Sequence, residues 1–338
     1  MTEKVRVALF GLGSIGSALA RECESRGLEI VAAVDIDEDK VGKDVGEVAG
    51  LDRRLGILVS RDIRAALEVG EGDVVLHCTT SYIWEAHPQL AEAILTGCNV
   101  ISTCEELSYP WRAHRHFALE IDQAARREGV TVLGTGVNPG FVMDALVLAL
   151  SSMCNQVQRV SVERLVDVAQ RRLPLQRKVG AGLSREEFQE RVKEGQLGHV
   201  GTYESIDMIA AAFGWNLSDV EVEISPVMAI EEQTSSNLTV PVGTVAGIRQ
   251  LGIGRRTGEE VVRLDLQMYM GAEGPRDSIR IDGSPGMEVT IQGGIRGDEA
   301  TVAAVVNAIP NVLEAEPGLK TMLDMRLPAY LETIWRRD

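Results

Sequence analysis

At 338 residues the chain is about twice a typical domain, which excludes a single small module and predicts two domains or one large one with an insertion. Hydrophobic residues make up 45% and charged residues 25%, and no apolar run approaches the ~18 residues that span a bilayer, so disorder and membrane insertion are excluded. Asp and Glu total 50 against 34 Lys and Arg, a net charge of −16 that repels phosphate backbones and anionic lipids and makes nucleic acid an unsuitable partner.

The N-terminal MTEKVRVALFGLG runs from a short polar start directly into a strand pattern, without the regions of a signal peptide. Cys23, Cys78, Cys98, Cys104 and Cys154 form no CxxC pair, and reduced thiols in a cytoplasmic chain are expected rather than a disulfide framework or a zinc knuckle. Residues 4–10 predict a strand buried on both faces, 14–26 a helix and 29–35 a second strand. Further strands are predicted at 57–59, 73–78, 98–102 and 130–134, with helices at 61–69, 84–97 and 112–127 between them. This alternation argues for a parallel sheet with helices on both faces. After Gly140 the stretch FVMDALVLALSSMC reads as a helix. Strand alternation follows at 156–167 and from 220 to 293, 185–214 reads as helical, and 298–306 as a small-residue helix packing back on the first domain. The expected fold class is α/β: a Rossmann doubly wound parallel sheet at 1–140, completed by 296–338, and a second α+β domain with an open mixed sheet at 141–295. The second domain is expected to bind substrate and to make a homodimer.

Gly11-Leu12-Gly13-Ser14-Ile15-Gly16 lies between the first strand and the first helix, the context that gives a GxGxxG match its weight. Gly11 permits the tight turn, Gly13 lets backbone approach a pyrophosphate, and Gly16 lets helix pack on sheet. The helix N-terminus at Ser14 and Ile15 then offers N–H groups to phosphate. The second strand ends in Val34-Asp35-Ile36-Asp37-Glu38-Asp39, where Asp35 is placed to accept hydrogen bonds from an adenosine ribose. No Arg follows until Arg53, so a 2′-phosphate meets repulsion: NAD is expected, with NADP possible if a loop brings in a base. A glycine turn without cofactor, and a flavin or S-adenosylmethionine site, are the alternatives.

Three segments follow later strands and should face the nicotinamide. In His77-Cys78-Thr79-Thr80-Ser81 the hydroxyls of Thr79 and Thr80 suit either a ribose or the cap of the next helix. In Ser102-Thr103-Cys104-Glu105-Glu106 the paired carboxylates suit an ammonium or proton transfer, or else a solvated turn. The third segment, Gly134-Thr135-Gly136-Val137-Asn138-Pro139-Gly140, is rich in turn formers. Neighbouring negative charge makes Cys104 a poor thiolate, so it reads as packing. His77 reads as a core residue and His87, His114 and His116 as helix-surface residues, while His199 lies between glycines in a loop. The basic run from Arg171 to Lys178 is either a solvated loop or a source of positive charge for an acidic substrate. No motif offers a metal site.

Taken together, GLGSIG at 11–16, VGKDVGEVAGL at 41–51, STCEELSYP at 102–110, GTGVNPGF at 134–141, RLPLQRKVGAGLSREEF at 172–188, GHVG at 198–201, QGGIRGDEAT at 292–301 and VNAIP at 306–310 cover nearly the whole length. On these the chain resembles the dihydrodipicolinate-reductase-like superfamily, and within it the 2,4-diaminopentanoate dehydrogenases with the related native amine dehydrogenases. The His-His and Lys-x-Asp-Ala-Pro-Ser-Gly-Thr segments of dihydrodipicolinate reductases themselves are absent from the sequence, which disfavours that activity. The resemblance implies NAD(P)-dependent oxidative deamination of an amine to a ketone or aldehyde plus ammonia, and the reverse reductive amination. It implies Glu105 as the catalytic carboxylate ahead of Glu106, Asn138 with Pro139 and Gly140 beside the nicotinamide, and a substrate pocket walled by Pro139, Phe141, Val142, Met143 and Thr301. Alternatives are a diamino acid substrate, with a carboxylate anchor in the 171–178 cluster, a semialdehyde oxidoreductase using Cys104, and a nonenzymatic NAD sensor.

Overall fold

The computed structural model describes residues 4–169, 171 and 173–334. The first stretch runs β1 (Arg6–Phe10), α1 (Ser14–Ser25), β2 (Glu29–Val34), α2 (Val45–Ala49), β3 (Val59–Ser60), α3 (Ile63–Ala66), β4 (Val74–His77), α4 (Ile83–Ile94), β5 (Asn99–Ser102), a 3-10 turn (Glu105–Leu107), α5 (Arg115–Glu128) and β6 (Thr131–Gly134). A second stretch holds α6 (Ala145–Ser151), β7 (Gln156–Asp167), α7 (Leu173–Lys178), α8 (Arg185–Lys193) and α9 (Thr202–Ala212). It continues through β8 (Asp219–Met228), β9 (Gln233–Thr234), β10 (Thr239–Val240), β11 (Val245–Arg256), β12 (Glu259–Tyr269), β13 (Arg276–Ser284) and β14 (Met287–Gln292). The chain returns through α10 (Gly297–Glu314) and β15 (Gly318–Lys320). These elements form two compact units: one holds the described residues up to Phe141 and from Arg296 onward, the other Val142–Ile295.

In the first unit seven strands lie in the order β15-β6-β5-β4-β1-β2-β3, and every pairing is parallel. From β6 to β3 this is the doubly wound order, with its reversal between β1 and β4. The central strands are buried along their whole length because both faces are covered: β4 and β6 have no exposed residue. Helix α5 stops where Gly129 adopts φ +73 and Val130 N–H returns to the Ala125 carbonyl. Helix α10 packs on α1 and on β5 and β6, which joins the returning segment to this unit.

The second unit's six-stranded sheet has the order β14-β13-β7-β12-β11-β8, with β7 and β12 parallel and the remaining pairs antiparallel. Its alternation sends Val162, Leu264, Ile248 and Gly252 to the buried face, and Gly252 and Gly254 leave room for Ile206 of α9. The opposite face carries the Arg249–Asp265 and Arg276–Glu163 pairs. The expected class, a Rossmann sheet plus an α+β unit with a mixed sheet, is the observed one.

Four local expectations are corrected. The helical reading of 185–214 resolves into α8 and α9, because Gly195, Gly198 and Gly201 hold φ of +71, +124 and +104 between them. The helix after Gly140 spans only Ala145–Ser151, starting where the Asp144 carboxylate accepts the Ala145 N–H. The basic run is not a loop: Leu173–Lys178 form a short helix, and Arg172 lies outside the described residues. Helix α10 runs eight residues beyond the expected 306, through Pro310 to Glu314.

Candidate active site

The strand order brings five strand ends together at the carboxyl edge of the first sheet, where open parallel sheets bind ligands. At the end of β1, Gly11 has φ +97, and a Cβ there would meet the Cys78 carbonyl oxygen at 2.8 Å. A Cβ on Gly16 would fall 1.8 Å from the Gly11 carbonyl oxygen, so α1 lies directly against the turn it leaves. Gly13 is the opposite case: it caps α1 in extended backbone and nothing lies within 4 Å of its Cβ position. That opening beside Ser14 and Ile15, at the positive end of a 12-residue helix, fits a pyrophosphate.

Asp35 follows β2. Its Oδ2 accepts the Leu12 N–H at 2.7 Å and Lys40 Nζ at 3.2 Å, and its Oδ1 accepts the Asp37 N–H at 2.9 Å. Burial pushes this carboxyl up, and the Asp37 and Leu12 N–H groups with Lys40 more than reverse that, holding it below the usual range. Lys40 also pairs with Asp37 at 3.1 Å. The sequence reading, which looked for an Arg, missed this cation, although its place five residues after Asp35 was visible.

After β4, Thr79 is exposed and donates its hydroxyl to Gln89 Oε1 at 2.6 Å. Thr80 is turned toward α4, accepting the Tyr82 N–H at 3.2 Å and donating to Glu85. After β6, the Thr301 hydroxyl of α10 accepts the Val137 N–H at 3.4 Å and its methyl lies against Gly136. Pro139 is buried there, while Asn138 and Phe141 are half-buried.

Two carboxylates follow β5. Glu106 is committed to structure: its Oε2 accepts the Ile83 N–H at 2.7 Å, capping α4, and its Oε1 lies 3.6 Å from Nε2 of His114. Glu105 opens the 3-10 turn, half-buried, with its carbonyl accepting the Ser108 N–H at 3.1 Å and hydroxyl at 2.8 Å. Cys104 is buried and donates to the Ser81 carbonyl at 3.3 Å; burial, then Glu105 and Glu106, push its thiol far up, away from thiolate chemistry. His77 is a core residue, as expected. His87 and His116 lie on α4 and α5 and pair with Glu120, while His114 caps α5.

In the second unit Val142 and Met143 are buried, and Asp144 behind them accepts the Ser205 hydroxyl at 2.7 Å. Helix α7 is fastened by Gln176, whose Nε2 donates to the carbonyls of Val168, Ala169 and Arg171. The Gln250 carboxamide holds both backbone groups of His199 at 2.7 Å, and the His199 Nδ1 is buried without a hydrogen-bond partner. Burial, with the charges of Lys178 and Arg164, lowers the pKa of that ring to about 4. Arg164 itself is buried against Asp277 at 2.8 Å, and the two also hold the carbonyl and the N–H of Ile295 at 2.7 Å.

A family model described as the 2,4-diaminopentanoate dehydrogenase C-terminal domain matches residues 141–337, and one described as dihydrodipicolinate reductase, N-terminus, matches 5–103. A 2,4-diaminopentanoate dehydrogenase of Acetoanaerobium sticklandii is 34% identical over 96% of this chain and 94% of that protein. The chain belongs to the 2,4-diaminopentanoate dehydrogenase family. An amine dehydrogenase of Streptomyces virginiae is 25% identical, with 99% of both chains covered. The solved amine dehydrogenase of Mycobacterium smegmatis shares the fold at a TM-score of 0.87 and 24% identity, with 98% of each chain covered. The protein is accordingly an amine-acting dehydrogenase of this family.

Proposed function

We propose that this family member interconverts an amine with a ketone or aldehyde plus ammonia at the carboxyl edge of the first sheet, with Glu105 as the catalytic carboxylate. The residue choice is supported by the family resemblance at residues 102–110 and by the Ile83 N–H that Glu106 Oε2 accepts at 2.7 Å, which ties Glu106 to the start of α4. The first unit is the dinucleotide domain in this reading. Gly11 and Gly16 shape its turn, Gly13, Ser14 and Ile15 meet the pyrophosphate, Asp35 faces the adenosine ribose, and Thr79 and Asn138 lie toward the nicotinamide end. A dinucleotide held by these residues would supply the acceptor for hydride from the amine-bearing carbon, and the hydride donor in the reverse direction. Glu105 removes a proton from the ammonium, so that the nitrogen lone pair assists hydride departure; it passes that proton to solvent, and the carboxylate so restored stabilises the iminium. The carboxylate then takes a proton from the water that adds and returns it to the nitrogen of the carbinolamine as ammonia leaves and the carbonyl forms; in reverse it holds ammonia against the carbonyl. Pro139, Phe141 and Thr301 are the proposed substrate residues of the first unit, and Val142 and Met143 those of the second.

NAD is the proposed first choice, with NADP admitted, because Lys40 offsets part of the negative charge of Asp35 and Asp37. A diamino acid is a second reading of the substrate, supported by the name of the 34% relative and by the basic run that ends in Lys178, whose charge acts on the buried His199. The second unit is proposed to bind substrate and to form the homodimer. Five unpaired cysteines suit a cytoplasmic protein. The test follows 340 nm absorbance with NAD or NADP and 2,4-diaminopentanoate or alkyl amines, and in reverse small ketones or aldehydes with ammonia and NADH. Turnover of either substrate set supports the reading and identifies the substrate class; no turnover with any of them contradicts it.

A further inference from the structure

A hydrogen-bonded chain inside the first unit links the end of β4 to the turn that carries Glu105. His77, the last residue of β4, is fully buried, edge-on to Phe10 with ring centroids 5.4 Å apart. Its Nε2 lies 2.8 Å from Gln89 Oε1 and 3.0 Å from Thr79 Oγ1, and its Nδ1 lies 2.8 Å from Ser102 Oγ. Ser102 Oγ in turn accepts the Cys104 N–H at 3.1 Å, and Thr79 donates to the same Gln89 oxygen at 2.6 Å.

The donor directions follow from the inventory of groups. Gln89 Oε1 only accepts, so Nε2 must carry the ring proton to bond it. A neutral imidazole then has a bare Nδ1, which takes the Ser102 hydroxyl proton and leaves an Oγ lone pair for the Cys104 N–H. Burial keeps the ring neutral, lowering its pKa to about 4. An apolar side chain would fill this core site equally well. What the imidazole adds is a fixed polarity at both ends, one end on the backbone one residue before Glu105 and the other on the Thr79 hydroxyl at the cofactor edge.

We propose that His77 is a positioning residue for the reaction: through Ser102 it fixes the backbone that aims Glu105, and through Gln89 it fixes the Thr79 hydroxyl. The inference rests on Glu105 as the catalytic carboxylate. A displacement of about 1 Å at a reacting group costs about 10²-fold in rate, which is the scale at stake.

The test compares Ser102→Ala, His77→Asn and His77→Gln with wild type, reading kcat at saturating amine and the Kd of NADH by fluorescence, beside Glu105→Gln. Ser102→Ala removes one oxygen and should lower kcat about 10- to 100-fold while leaving the NADH Kd within about twofold. Asn offers an oxygen near the Nδ1 position and should retain kcat while weakening NADH. Gln reaches toward the Nε2 position and should do the reverse. Wild-type kcat in Ser102→Ala, or equal loss of kcat in both His77 variants, overturns the proposal, and Ser102→Ala decides alone if the His77 variants do not fold. If Glu105→Gln is inactive while Ser102→Ala is normal, only the positioning role fails; if Glu105→Gln turns over normally, the Glu105 assignment fails and this inference with it.

Discussion

Glu105→Gln keeps the shape of the side chain and removes both its charge and its basicity, so kcat for deamination should fall about 10²- to 10⁴-fold with NADH affinity unchanged. Stopped-flow hydride transfer and NADH titration on one preparation check both halves. The glycines of the first turn give a second, opposed pair of outcomes. Gly13→Ala meets no protein atom within 4 Å and should fold with near-normal stability while losing dinucleotide affinity. Gly16→Ala places its Cβ 1.8 Å from a carbonyl oxygen and should lower the melting temperature itself. Gly11 and Gly16 were legible from sequence because each answers a steric demand inside a short segment. Between Glu105 and Glu106 the residues themselves left the role open, and only the family resemblance ranks the two. What surrounds Glu106, the Ile83 N–H and His114, is set by the packing of α4 and α5 and cannot be read from a local pattern.

At the scale of elements, the loop between α2 and β3 is organised by one carboxylate. Asp44 accepts the N–H groups of Gly46, Leu55 and Gly56 at 2.8, 2.9 and 2.7 Å. Burial pushes its pKa up, and the Leu55, Gly56 and Gly46 donors hold it below the usual value. Removing it in Asp44→Ala strands three donors and should cost about 2–4 kcal/mol, measured by urea denaturation. A depressed carboxyl pKa contributes stability above the unfolded value and loses it as pH falls through the folded one, so this contribution is full at neutral pH. The two buried histidines work over a higher range. His77 and His199 have folded values of about 4 against 6.5 in the open chain, so the unfolded state takes up protons first. Stability should therefore be full above pH 6.5 and decline as pH drops toward 4, a trend that His77→Phe would weaken. Buried strands and long amphipathic helices were readable because period and burial coincide. The three-residue β15 and the two-residue β9 and β10 carry too few residues for any period, and the two-helix character of 185–214 rests on three left-handed glycines.

For the whole molecule, the class of each sheet could be read from the alternation of strand and helix signals, but not the strand pairing. The parallel β7–β12 ladder inside an otherwise antiparallel sheet joins segments about a hundred residues apart, and no local pattern specifies that. The Arg164–Asp277 pair is equally invisible in sequence. Breaking it with Arg164→Leu should cost about 3–5 kcal/mol, and Arg164→Leu with Asp277→Leu should cost less than either single change. Cofactor binding should act on global stability by mass action: NADH at 100 times its Kd adds about 2.7 kcal/mol to the state that binds it, read as a shift in unfolding midpoint. The central claim is that an amine and a nicotinamide dinucleotide exchange hydride under the control of Glu105. Its most direct test is 340 nm absorbance for the wild-type protein and Glu105→Gln with NAD and 2,4-diaminopentanoate, and with NADH, ammonia and a small ketone. The account predicts turnover in at least one direction for wild type and its loss by at least about 10²-fold in Glu105→Gln. Equal turnover by the two proteins, or none by wild type, would contradict it.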